Sequence, residues 1–158
     1  MKYKSVIVYY SRFGHTQRIA QAVGDVLSSA GEAQVLPVDQ VTAASLEGVN
    51  LVVMGSPTHR MRMPKEVQPL FDALPRRALR GAAVAAFDTS YHTSRFLAHF
   101  TAAKTLAHKL RRLGGKPAAP PQTFFMAARE GPLEDGEIER AKVWAGTLLA
   151  QLPSRKAD

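Results

Sequence analysis

Cysteine is absent from this chain of 158 residues. Its absence excludes disulfides, thiolate metal sites and thiol catalysis, and says little about compartment. Long apolar runs are missing too; none approaches the ~20 residues of a membrane-crossing helix. No apolar stretch precedes a small-residue cleavage site near the N-terminus, so no signal peptide is visible and a cytoplasmic location is expected. Acidic residues are scarce: 13 Asp and Glu stand against 21 Lys and Arg, for a formal net charge of +8. Such an excess can serve nucleic acid or an anionic membrane. Here the basic residues are dispersed, apart from Arg76, Arg77 and Arg80 and the set Lys104, Lys109, Arg111, Arg112 and Lys116. They are not interleaved with exposed aromatics. They read as solvated helix faces, and no nucleic-acid partner is expected. Walker A and G-x-G-x-x-G loops are also missing.

What is present is the composition of a soluble globular protein, 46% hydrophobic and 22% charged. One domain is expected over residues 1–153, with a polar tail at 154–158. Residues 3–10 read as a buried strand, and 16–29 as a helix with Ile19, Val23, Val26, Leu27 and Ala30 at helical spacing. Glu32 to Val38, with Val35, Leu36 and Val38, suggests a second short strand, and 41–48 a short helix or loop. Leu51-Val52-Val53-Met54 lacks polar alternation and reads as a strand buried on both faces, broken by Gly55-Ser56-Pro57-Thr58. A helix opens at Pro64, a fourth strand runs from Ala82 to Phe87, and a long helix covers 94–113. A stiff connector with Pro117, Pro120 and Pro121 leads to a fifth strand, Gln122 to Met126, and a last helix over 135–152.

The alternation of strands and helices implies a parallel sheet with helices on both faces and right-handed crossovers. Ligands of such sheets sit beyond the C-terminal strand ends, at a topological switch point. The informative residues should therefore follow strands one, three and four. Strand one is followed by Ser11, Arg12, Phe13, Gly14, His15 and Thr16. A strand turning tightly into a helix aims unpaired N–H groups at one spot, with the positive end of the helix dipole behind them. That spot suits a phosphate, but the same pattern fits an ordinary turn capped by Ser and Thr. Strand three is followed by Ser56, Pro57, Thr58, His59 and Arg60, and strand four by Asp88, Thr89, Ser90, Tyr91 and His92. Tyr91 can stack on a flat ring. His59 and His92 fall in the expected crevice, whereas His99 and His108 read as surface residues of the long helix.

These three loops resemble those of the flavodoxin-like family. Tyr10-Ser11-Arg12-Phe13-Gly14-His15-Thr16 is similar to the family's FMN phosphate loop. Met54-Gly55-Ser56-Pro57-Thr58 resembles its turn along the flavin, and Phe87 to Tyr91 falls where the flavin-stacking aromatic lies. The resemblance implies a three-layer α/β/α sandwich, a five-stranded parallel sheet of order 2-1-3-4-5 and non-covalent FMN. It implies a redox protein, either an electron carrier or a small FMN-dependent oxidoreductase, whose partner is a redox protein or a nicotinamide cofactor. Quinone reductases and flavodoxin-type protoporphyrinogen oxidases carry similar loops. A flavin-free interaction module on the same fold is the alternative from another class.

The departures concern charge and the second loop. Many electron-carrier flavodoxins are acidic and carry Trp there. This chain is basic and carries His59-Arg60-Met61-Arg62-Met63, with no glycine to ease a peptide flip. A response-regulator receiver, which shares the fold class, needs an Asp at the end of strand three; Met54-Gly55 stands there instead. No metal site is expected, and the oligomeric state is left open.

Overall fold

The computed structural model describes residues 2–92 and 100–153. Strand β1 (Tyr3–Tyr9) carries Val6-Ile7-Val8, and its neighbours are β2 (Gly31–Pro37) and β3 (Leu51–Pro57). Strand β4 (Ala83–Tyr91) lies beyond β3. The next position is filled in two pieces: β5 (Lys116–Pro117) pairs with the start of β4, and β6 (Gln122–Met126) pairs with its end. All pairings are parallel, and the order is the expected 2-1-3-4-5. The split follows from Pro120 and Pro121, which have no N–H to give to the ladder.

Alternation along the central strands divides the core in two. Ile7, Leu51, Val53, Ala85 and Phe87 face helices α1 (His15–Leu27) and α4 (Glu137–Ala150). Val6, Val8, Val52, Met54, Val84 and Ala86 face α2 (Gln68–Ala73) and α3 (Ala102–Arg112). A run without polar residues is what a strand covered on both faces requires.

The elements differ from expectation in four places. The second strand ends at Pro37, and Val38 begins a 3-10 turn, Val38–Gln40; the stretch 41–48, expected as a short helix or loop, carries another at Ala44–Leu46. After Pro64 a 3-10 turn, Lys65–Val67, precedes the short α2. The long helix starts at Ala102, with the Thr101 hydroxyl accepting from Lys104 N–H; positions 94–99 of its expected span, Phe96 and His99 among them, and the tail after Pro153 lie outside the described residues. Strands β3 and β4 both run further than their apolar stretches. Ser56 pairs with Asp88 and Pro57 with Thr89, so the expected loop residues Asp88 to Tyr91 belong to the strand.

Pro57 is tolerated there for a geometric reason. Gly55 O accepts from Tyr10 N–H on the β1 side, and Thr58 N–H donates to Thr89 O on the β4 side. By alternation, the missing N–H of Pro57 falls where β1 has already turned away. Gly55 itself is fixed by packing. A Cβ there would sit 2.1 Å from Cζ of Phe87, a fully buried ring. Gly55→Ala should therefore destabilise the fold by about 1–3 kcal/mol through overpacking, read as a lower midpoint of urea unfolding. An unchanged midpoint would mean that the ring has room to move.

The outer edge of β6 is covered by α4. Phe125 N–H donates to Glu137 Oε2 at 2.7 Å, and Arg140 donates to the Thr123 carbonyl and to the Glu137 carboxylate. The Arg140 bond is the main cause that holds Glu137 below the usual carboxylate range. An edge closed in this way offers no template for another strand.

Candidate functional site

The C-terminal ends of β1, β3, β4 and β6 open into one cavity of about 300 Å³. That volume lies at the low end of small-molecule sites, roughly 300–1,000 Å³. The β1–α1 turn contributes Ser11, Arg12, Phe13, His15 and Thr16 to its wall. The end of β3 and the turn after it contribute Pro57 to Met61, and β4 contributes Thr89, Ser90 and Tyr91.

The first wall is the β1–α1 turn, where α1 begins. Gly14 caps α1 with φ +89°, a left-handed conformation that suits glycine, and no side chain caps the first turn. Ser11 Oγ accepts from Gly14 N–H at 3.0 Å, which folds the turn back on itself. The buried hydroxyls of Thr16 and Thr89 meet at 2.8 Å and tie α1 to β4. His15 Nε2–H donates to the Glu130 carbonyl at 2.8 Å, while its buried Nδ1 has no partner. Gly131 packs so closely behind this ring that a Cβ would lie 2.1 Å from Nε2.

The second wall is a tight turn. His59 and Arg62 exchange backbone hydrogen bonds of 2.9 and 3.0 Å, with Arg60 at φ 48° and Met61 at φ 63° between them. Left-handed backbone at two non-glycine residues costs of order 1–3 kcal/mol each, and it presents Arg60 and Met61 to the cavity. Arg12 Nη1 lies 3.1 Å from His59 Nδ1. Partial burial first, then the charges of Arg12, Arg60 and Arg129, lower the His59 pKa; Glu66 opposes them.

Beneath the cavity lies a buried carboxyl group, Asp88. Its oxygens accept from the Thr58 and Thr123 hydroxyls, the latter at 2.7 Å. Thr58 Oγ1 in turn accepts from Ala102 N–H at 2.8 Å. One chain of hydrogen bonds thus joins β3, β4, β6 and the start of α3. Burial pushes the Asp88 pKa up to about 6, against the pull of the two hydroxyl bonds.

Of the residues expected at the site, Ser11, Arg12, Phe13, His15, Thr16, Pro57, Thr58, His59, Arg60, Thr89, Ser90 and Tyr91 line this one cavity. Gly14 sits within the first wall as the helix cap. Ser56 and Asp88 are buried and do not line the cavity. His92 is not brought to it either: its ring stacks on Phe125 at 4.0 Å, and Nε2 pairs with Glu134 at 3.0 Å. The cavity also uses Met61, Phe100, Thr101, Met126, Arg129 and Glu130. Met126, Arg129 and Glu130 lie at and beyond the end of the fifth strand, a position that the strand-end rule could have named. Among the described residues there is no group of His, Asp and Glu that could hold a metal, and no helix long and apolar enough to cross a membrane.

The chain resembles known proteins over most of its length. It is 30% identical over 112 residues to an NAD(P)H dehydrogenase (quinone) of Acidovorax ebreus (strain TPSY), a match covering 55% of this chain and 56% of that protein. The chain therefore spans little more than half of this curated relative. Oxidised flavodoxins 1 and 2 of Bacillus cereus superpose with TM-scores of 0.77 and 0.78, each at 20% identity. They cover 95% and 94% of this chain, and 99% of each of theirs is matched. At that identity the likeness shows the fold. The sequence model of the flavodoxin family matches residues 7–144, and with it this chain belongs to the flavodoxins, a family of FMN-binding redox proteins.

Proposed function

We propose that FMN sits in the strand-end cavity, with its phosphate on the Ser11–Thr16 turn and its ring between Tyr91 and the His59–Met61 turn. The observation that carries this reading is a single cavity with an uncapped helix N-terminus at one wall and an exposed aromatic at another. The residues fit the group. The first-turn N–H groups of α1 have no side-chain cap, and a Cβ on Gly14 would meet nothing within 4 Å, so the approach is open. Arg12 and Arg129 supply positive charge on the same cavity. Bound FMN would supply reversible uptake of electrons. The protein binds it, orients it and sets the field around it.

In this reading Ser11 and Thr16 add hydroxyl donors to the phosphate, Pro57 and Thr58 line one side of the ring, and backbone groups of Thr89 and Ser90 reach its polar edge. Arg60 favours negative charge on the ring, because opposite charges attract more strongly in a partly desolvated cavity. The chain is then a small FMN redox protein, serving as an electron carrier or as an oxidoreductase. The quinone reductase reading draws on the Acidovorax ebreus relative and on the non-glycine turn at Arg60 and Met61.

The test is the FMN dissociation constant. Ser11→Ala and Thr16→Ala should each weaken FMN by on the order of 1–3 kcal/mol, the range for a hydrogen bond to a charged group. Quenching of flavin fluorescence on titration measures it. Unchanged constants in both variants would remove the phosphate from this turn.

A further inference from the structure

Five large hydrophobic residues are exposed among the described ones: Phe13, Met61, Tyr91, Phe100 and Val143. Four of them line the mouth of one cavity, each between 42% and 57% exposed; Val143 lies apart on α4. They come from four separate stretches of chain, so sequence proximity does not explain their meeting. A contiguous apolar patch with a polar rim marks an interaction surface.

The rim is mostly basic. Arg12, Arg60 and Arg129 line the same cavity, and Arg62 closes the turn that presents Met61. Among the described residues, Glu130 is the sole carboxylate that lines the cavity. Burial is the first cause of the lowered His59 pKa, and the charges of Arg12, Arg60 and Arg129 add to it against Glu66. An apolar centre ringed by arginines has the anatomy of a protein interface, in which Arg is enriched and rim charges steer the encounter.

We propose that this face docks a redox partner protein whose own redox centre is surrounded by carboxylates. The proposal rests on the reading that FMN occupies the cavity, since only then does the patch frame a redox centre. A phosphate in the cavity would offset part of the charge of Arg12 and Arg129. Arg60 and Arg62 lie on the other wall, on the turn beside Met61, and provide the contacts for acidic groups. Complementary charge acts mostly on the rate and selectivity of encounter and is screened by salt.

The test uses two small probes of opposite charge, an acidic two-iron ferredoxin and basic cytochrome c. Each is fluorescently labelled and titrated with the purified protein at low and at physiological salt. FMN affinity is measured separately on every variant, and the titration is run with and without FMN. A protein that fails to take FMN overturns the cofactor reading, while probe binding to the FMN-free protein still tests the surface. The expected result is ferredoxin binding at low salt that weakens at least tenfold in Arg60→Glu/Arg62→Glu. The control Arg76→Glu/Arg77→Glu makes the same charge change near the opposite end of the sheet and should leave most of the binding intact. Equal losses in the two double variants would reduce the effect to net charge and overturn the proposal. Binding of cytochrome c as tight as that of ferredoxin would overturn it too. A short duplex DNA that outcompetes ferredoxin for the Arg60 and Arg62 face would assign the surface to nucleic acid instead.

Discussion

Asp88→Asn is expected to remove a loss of stability that the native chain suffers between about pH 4 and pH 6. The native carboxyl titrates at about 6, against 3.8 for the ordinary group, because burial penalises its charge. Between those values the folded chain holds a proton that the unfolded chain has released. Raising the pH through this window therefore pulls the equilibrium toward the unfolded state. The gap corresponds to about 3 kcal/mol, fully lost above the folded pKa. Unfolding free energies of native protein and variant, measured by urea at intervals from pH 4 to pH 7, should diverge by that amount. Parallel curves would mean that Asp88 keeps its charge at ordinary cost, with the Thr58 and Thr123 hydroxyls compensating for burial.

The second large effect concerns Tyr91. Truncation to Ala removes the aromatic face that β4 presents at the cavity mouth. Stacking together with the lost apolar area is worth about 2–4 kcal/mol, so FMN affinity should fall roughly 30- to 1,000-fold. Tyr91→Phe should retain most of it, because in the proposed binding mode the ring and not the hydroxyl would make the contact. Titration of both variants with FMN checks this. Full affinity in the Ala variant would place the ring of the cofactor elsewhere.

Much of this arrangement was legible in the sequence, for reasons that differ by element. Val6-Ile7-Val8 and Leu51-Val52-Val53-Met54 announce central strands, because a strand covered on both faces tolerates no polar residue. The turn from Tyr10 to Thr16 carries its own capping and glycine chemistry, and it forms where it was expected. The end of β4 did not announce itself. Asp88 and Thr89 look like loop residues, and they are accommodated in the strand only because Thr58, Thr123 and Thr16 arrive from elsewhere in the chain to bond them. His92 fails for a related reason. Its place beside Tyr91 suggested the cavity, but it lies past the end of β4, where its ring stacks on Phe125 and pairs with Glu134. Phe100 reaches the cavity through tertiary structure alone, from a segment whose local pattern says nothing about a ligand.

The split of the fifth sheet position shows how proline content translates into architecture. The connector between β5 and β6 leaves the ladder and returns, so that β4 has a partner at both ends. The part of β4 that pairs with β6 is the part that carries Thr89, Ser90 and Tyr91. Glu137 and Arg140 then fix β6 from outside. The aromatic wall of the cavity is thus held by a strand edge that α4 closes.

The measurement that tests the account most directly is the visible absorption spectrum of the purified protein after addition of FMN and removal of the excess. Retained flavin bands at one FMN per chain, weakened in Ser11→Ala and Tyr91→Ala, are the result the account predicts. A protein that passes the same column colourless, while folded by circular dichroism, would contradict it and make the chain a flavin-free module on the flavodoxin fold.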